Sequence, residues 1–259
     1  AFLQTHFPEV HILQNKENGG YAKGYNDALK NVTEDLFVLL NNDVEVSENW
    51  LSPILSEFEK DHTLVAAQPK LLDYKNKDYF EYAGAGGGFL DAFGYPFCRG
   101  RIFHTLEKDQ GQYNDILPIF WASGACLFVK RDAFWKAGAF DEDLFAHQEE
   151  IDLCWRLHSQ GGNIKYIGRS TVYHLGGATL STANPQKTFY NFRNTLLVLD
   201  AAAGLQFLLQ GKISHFWAIL RAHFSFYGFL PKFLQKRKKH ANSLKYWKIK
   251  CLVCKYFIL

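Results

Sequence analysis

Methionine is absent from this 259-residue chain, position 1 included. The chain opens on Ala1-Phe2-Leu3, which reads as the end of a helix feeding a strand over Val10–Gln14, as expected of a piece of a longer reading frame. Cysteine is sparse. Five residues, at 98, 126, 154, 251 and 254, are odd in number and lack a regular framework, which argues against a disulfide-stapled secreted domain. Cys251 and Cys254 form a CxxC, but no second ligand pair stands at zinc-site spacing, so two small apolar residues on a terminal helix account for them. Also missing are a signal peptide and any uninterrupted apolar run of the roughly twenty residues that span a bilayer, and a reducing, cytoplasmic setting is expected. No internal repeat is visible. A net charge of +3 is too small to argue for nucleic acid, and no nucleic-acid partner is expected.

The charge that is present is unevenly placed. From Lys232 to Lys255 there are many Lys and Arg and no Asp or Glu, while acidic residues crowd into the first two thirds. A hydrophobic share of 47% against 21% charged places the chain among folded globular proteins, long enough for one domain with an appendage. Between Phe216 and Leu259, aromatic residues such as Phe226, Tyr227, Phe229, Phe233, Trp247, Tyr256 and Phe257 alternate with basic ones, including Lys236-Arg237-Lys238-Lys239. Amphipathic basic helices of this kind lie on anionic membrane surfaces, and packing back on the main domain is the alternative.

The most informative stretch is Leu36–Val46, LFVLLNNDVEV. A strand-forming apolar run ends in Asn41-Asn42-Asp43, which places a carboxylate where a buried strand surfaces. Ligands of open α/β sheets bind at the carboxyl ends of the strands, and hard divalent cations prefer oxygen ligands. An ordinary turn accounts for this segment equally well when it is taken alone.

Elsewhere the pattern alternates. After the Asn18-Gly19-Gly20 turn, a helix is predicted from about Ala22 to Asn31, and its free N–H groups form an anion site suited to a nucleotide diphosphate. Strands follow at Glu34–Asn41 and Leu64–Leu72. Between them Ser47 is the predicted N-cap of a helix carrying Trp50, Leu51, Ile54, Leu55 and Phe58 at helical spacing. The glycine-rich stretch after Tyr82 lacks the helix and acidic residue of a dinucleotide fingerprint and is expected to be a flexible loop near the site. Strands are predicted at Ile116–Trp121 and Ala125–Val129, and the small Ala122-Ser123-Gly124 between them is expected to admit substrate. Gln148–Ser159 is the strongest predicted helix, with Ile151, Cys154, Trp155 and His158 on one face. Strands at Asn163–Ile167 and Thr171–Leu175, a helix at Gln186–Ala203 and amphipathic helices broken near Pro231 complete the chain. This alternation argues for an α/β domain with a mostly parallel sheet flanked by helices.

Four segments recur in a recognisable order: Lys16–Asn26 (KENGGYAKGYN), Asn41-Asn42-Asp43, Gly138–Arg156 (GAFDEDLF…EEIDLCWR) and Val172–Gly177 (VYHLGG). Together they resemble the glycosyltransferase family 2 enzymes, in particular the bacterial rhamnosyltransferase-like branch, over residues 8 to 200. The resemblance implies a GT-A-like domain over 1–203, with the family's first strand-helix-strand unit falling before residue 1, and a C-terminal helical extension over 204–259. It implies inverting, metal-dependent transfer of a sugar from a UDP- or dTDP-linked donor to a glycan or lipid-linked glycan acceptor, in bacterial cell-surface polysaccharide synthesis at the inner face of the cytoplasmic membrane. Asp43 matches the last residue of the family's DxD-type motif and would hold Mg²⁺ or Mn²⁺, with His174 completing the coordination; Asn41 and Asn42 stand where relatives carry further acids. Asn18, Gly19, Gly20, Asn41, Asn42 and Asp43 would contact the nucleotide sugar. Glu150 matches the general base, though relatives usually have Asp there; Glu149 is its neighbour, and Asp152 is a candidate for acceptor hydroxyls or for pairing with Arg156. Two other classes stay open: a sugar-1-phosphate nucleotidyltransferase, and a non-catalytic glycan- or membrane-binding remnant.

Overall fold

The computed structural model describes residues 2–82, 84–91, 94–102, 105–176, 185–194 and 207–238. In chain order the first elements are α1 (Phe2–His6), α2 (Gly20–Leu29), β1 (Leu36–Leu40), β2 (Val44–Val46), α3 (Leu51–Lys60) and β3 (Leu64–Asp73). Four short strands follow: β4 (Gly88–Leu90), β5 (Pro96–Cys98), β6 (Arg101–Ile102) and β7 (Thr105–Leu106). Next come β8 (Ile116–Pro118), β9 (Cys126–Lys130), α4 (Arg131–Lys136), α5 (Glu149–Ser159) and β10 (Asn163–His174). Helices α6 (Pro185–Asn194) and α7 (Ile213–Lys238) close the described chain.

The central sheet has the order β1-β9-β3-β10-β2, with β8 also paired to β10. Side chains alternate across it as strand geometry requires. Phe37 and Leu39 of β1 and Leu127 and Val129 of β9 face one core, shared with Ala22 and Leu29 of α2 and Leu153, Cys154 and Leu157 of α5. Cys126 and Phe128, one residue out of step, face a second core with Ile54 and Phe58 of α3. Both sheet faces are therefore covered, which is why the strands read as near-continuous apolar runs rather than alternating ones. The sheet is mixed, not mostly parallel. Strands β3 and β10 pair in parallel, while β1–β9, β9–β3, β10–β2 and β10–β8 are antiparallel. The reason is connectivity: β2 leaves β1 after the Asn41–Asp43 turn, and β8 and β9 follow loops, so no crossover helix sets their direction.

Other local expectations change in the same way. Val10–Gln14 forms no strand and exposes Val10, Ile12 and Leu13, because no described strand pairs with it. The glycine-rich segment is not a loose loop; it enters a four-stranded antiparallel sheet of order β4-β5-β6-β7. Gly88 is needed there, because a Cβ would lie 2.2 Å from the Trp121 ring. The two strands predicted at 163–175 are one strand whose register shifts between Ile167 and Thr171. Ser47 does not cap α3; its hydroxyl donates to Thr171 O, and Trp50 is the cap residue. Pro231 lies inside α7 and does not break it.

Several sequence features fall outside the described residues: Gly177, positions 195–203 of the predicted helix, the boundary at 203/204, the CxxC, Lys239, Trp247, Tyr256 and Phe257. Among the described residues no helix is long and apolar enough to cross a membrane.

Candidate active site

Where β1 ends, Asn41 N–H donates to Ala125 O, and the chain turns through exposed Asn42 to a largely buried Asp43. Strand β2 then pairs antiparallel with the end of β10, aligning Val44 with His174, and Leu175 N–H donates to Asp43 O. This register brings Asp43 Oδ1 to 3.3 Å from His174 Nε2. On the other side of the ring, Glu81 Oε1 lies 3.4 Å from Nδ1, in contact but without hydrogen-bond alignment. Burial alone pushes the imidazole pKa down; Glu81 and Asp43 outweigh it and hold the pKa above the usual histidine value. The sequence reading missed Glu81. It stands in the Glu-Tyr-Ala-Gly run beside β3, and nothing local distinguishes it from a surface acid. Lys187 of α6 also belongs to this neighbourhood: burial lowers its pKa, and Glu81 partly restores it.

The second constellation is the start of α5. Glu149 is only 5% exposed, with a buried Oε2 that finds no hydrogen-bond partner among the described residues, and Glu150 is half-buried. The helix dipole favours ionised acids here, but burial wins. It pushes Glu150 up to about 7 and Glu149 well above the carboxylate range, the latter helped by the Glu150 charge. Tyr21 of α2 senses both carboxylates, and its hydroxyl donates to Gly124 O at 2.7 Å. Asp152 is engaged elsewhere. Arg156 donates from Nη2 to Asp152 Oδ2 at 2.6 Å and also ties down Ala139 O, so this carboxylate anchors the helix to the Gly138 turn.

The segment leading into α5 is strained. Phe145, His147 and Gln148 have φ of 57°, 67° and 75°, all in the region that favours glycine. Each costs about 1–2 kcal/mol, and such strain persists only where surrounding contacts enforce it. The Asn18-Gly19-Gly20 turn supplies one of them. Tyr21 N–H donates to Phe145 O at 2.8 Å, and Gly20, at φ 74°, approaches so closely that a Cβ would stand 2.4 Å from that oxygen. Gly20 N–H is held by Asn18 Oδ1. Two of the N–H groups expected to meet an anion are therefore committed within the protein. The Ala122-Ser123-Gly124 stretch is likewise filled from within. Ser123 N–H donates to Gln68 Oε1, and Ala122 N–H to Cys154 Sγ.

Among the described residues no three His, Cys, Asp or Glu converge into a metal cage. Asp43 and His174 do converge, one oxygen and one imidazole nitrogen. That fits a divalent cation whose other ligands come from phosphates and water.

The sequence model described as Glycosyl transferase family 2 matches residues 1–138. The N-acetylglucosaminyl-diphospho-decaprenol L-rhamnosyltransferase of Mycobacterium tuberculosis is 26% identical over 182 residues, covering 65% of this chain and 59% of that protein. The N-acetylgalactosaminyltransferase 7 of Drosophila melanogaster is 24% identical over 171 residues, covering 64% of this chain and 29% of that enzyme. The chain thus spans less than two thirds of the length of either relative. Among solved structures, GalNAc-T7 with UDP, GalNAc and Mn²⁺ superposes with a TM-score of 0.58 over 99% of this chain and 46% of that one, at 15% identity. The fold is accordingly GT-A-like.

Proposed function

The chain belongs to glycosyl transferase family 2, and on that premise we propose that it transfers a sugar, with inversion, from a nucleotide-diphosphate donor to a glycan or lipid-linked glycan in bacterial cell-surface polysaccharide synthesis. The observation that carries this reading is the meeting of Asp43 with His174 in a chain that also buries the Glu149–Glu150 pair. Asp43 and His174 would hold Mg²⁺ or Mn²⁺. Bound there, the cation supplies Lewis-acid neutralisation of the charge that builds on the departing diphosphate. Glu81 places a second carboxylate on the other side of the ring, 3.4 Å from Nδ1. Glu150 takes the proton of the acceptor hydroxyl as that oxygen attacks the anomeric carbon from the face opposite the diphosphate. A carboxylate whose pKa sits near 7 is well matched to that work at neutral pH. The Glu150 charge helps burial hold Glu149 protonated, and Tyr21 lies close enough to feel both carboxylates.

The setting proposed is the inner face of the cytoplasmic membrane. Helix α7 contains no acidic residue and exposes Ile213, Trp217, Phe224 and Tyr227 along one stripe, with Arg221 beside it. An exposed aromatic stripe with basic flanks suits an anionic headgroup layer.

The deciding experiment is donor turnover. Purified chain, Mn²⁺ and UDP- or dTDP-sugars are expected to give metal-dependent release of the nucleoside diphosphate, accelerated by a lipid-linked glycan acceptor. Release that EDTA leaves unchanged, or none with any donor, overturns the reading.

A further inference from the structure

The strained segment ahead of Glu149 has every carbonyl from Asp143 to Gln148 occupied by a named donor. Arg193 Nη2 donates to Asp143 O and to Leu144 O, both at 2.9 Å. Asn194 Nδ2 donates to Leu144 O at 3.0 Å, Ala146 O at 2.9 Å and His147 O at 2.7 Å. Tyr21 N–H takes Phe145 O, and Gln148 O accepts the first helical bond of α5 from Asp152 N–H. The orientation of the Asn194 amide is itself set, because Arg193 Nε donates to its Oδ1 at 2.8 Å and leaves only the NH₂ end for the loop. Aromatic packing from the same helix reinforces this grip: Phe145 stacks on Tyr190 with ring centroids 5.1 Å apart, and Arg193 lies over that Tyr190 ring. Three non-glycine residues with positive φ could not hold this path unaided.

We propose that Arg193 and Asn194 are positioning residues, a clamp from the end of α6 that locks residues 143–148 in the one path that presents Glu149 and Glu150 to the acceptor. The role of Glu150 as base is taken from the functional reading above; the clamp itself is geometric. An isolated helix end would need no such pair. One side chain that reaches the carbonyls of Leu144, Ala146 and His147 is arranged for the loop.

Amide hydrogen exchange and steady-state kinetics on the full chain, with Asn194→Asp and Arg193→Lys, test the clamp. Asp keeps the size of Asn but turns a carboxylate toward three carbonyls; Lys keeps the charge but loses the fork that reaches both the loop and Asn194. Exchange of the amides from 145 to 150 is expected to rise at least tenfold in Asn194→Asp. Its kcat is expected to fall about 100-fold while donor KM stays within threefold, with Arg193→Lys intermediate on both counts. Should Asn194→Asp not fold, Arg193→Lys carries the same two readouts. Loop exchange unchanged in the variants overturns the clamp whatever the chain catalyses. So does faster exchange with kcat within twofold, or a donor KM that rises in step with the loss of kcat. An unsubstituted chain that protects the loop yet transfers no sugar overturns the functional reading instead, and leaves the clamp standing.

Discussion

His174 Nε2 stands 3.3 Å from Asp43 Oδ1, and the two residues reach that contact from antiparallel neighbours, since His174 pairs with Val44 in the β10–β2 ladder. The backbone holds the pair independently of the side chains, through Leu175 N–H to Asp43 O. Removing the carboxylate should therefore spare the fold.

Asp43→Ala is accordingly expected to fold normally and to lose metal-dependent nucleotide binding. Calorimetry with UDP or dTDP in Mn²⁺ should show at least a tenfold loss of affinity, on the order expected for deleting one charged ligand. Undiminished binding would remove Asp43 from the metal site.

Glu150→Gln keeps shape but cannot accept a proton. Turnover should drop by roughly 10²–10⁴-fold, the usual contribution of a general base, with donor binding retained. In the unsubstituted protein kcat/KM should decline as pH falls through about 7, where burial has moved Glu150. A profile flat from pH 8 to 5.5 would shift the role to another group.

The same burial predicts a pH dependence of stability. Both carboxyls have folded pKa values above their unfolded ones, so protonation favours the folded chain. Their contribution is fully present below the unfolded value and is lost as pH rises through the folded one. The melting temperature should thus fall between pH 5 and 8, and Glu149→Gln should flatten that slope. An equal slope in the variant counts against burial as the cause of the raised Glu149 pKa.

Gly20→Ala places a Cβ against Phe145 O and forces a side chain to φ 74°. A loss of at least about 1–2 kcal/mol follows from the backbone alone, and displacement of the Phe145 segment should also depress kcat. Wild-type stability and turnover in the variant would show that the turn has room to spare.

For the membrane surface, flotation with anionic and with neutral vesicles at low salt is the measurement. The chain should float with the anionic ones, and Trp217→Ala with Phe224→Ala should reduce the bound fraction at least several-fold, because both side chains are exposed on α7. Equal recovery of both proteins in the soluble fraction removes the membrane from the proposal.

Some of this was legible before any coordinates. LFVLLNNDVEV announced a strand ending in a turn that carries a carboxylate, because a largely covered strand reads as a continuous apolar run with polar residues only at its end. The helical spacing of Ile151, Cys154, Trp155 and His158 announced α5 and put two acids at its start. Strand direction was not legible, since a strand reads the same whichever way its neighbour runs. For Asp152 the sequence offered both acceptor binding and an i,i+4 pairing with Arg156, and the structure shows the pairing.

The sequence by itself determined the main elements around the site, such as β1, β3, α2, α3 and α5, and which residue types carry charge at their ends, because propensity and hydrophobic period are local properties. Only the tertiary structure decided that Glu81 stands behind His174, that burial rather than the helix dipole governs Glu149 and Glu150, and that Arg193 and Asn194 grip the loop ahead of them. Desolvation and hydrogen bonds to a distant backbone depend on what surrounds a group in space, and chain order does not carry that information.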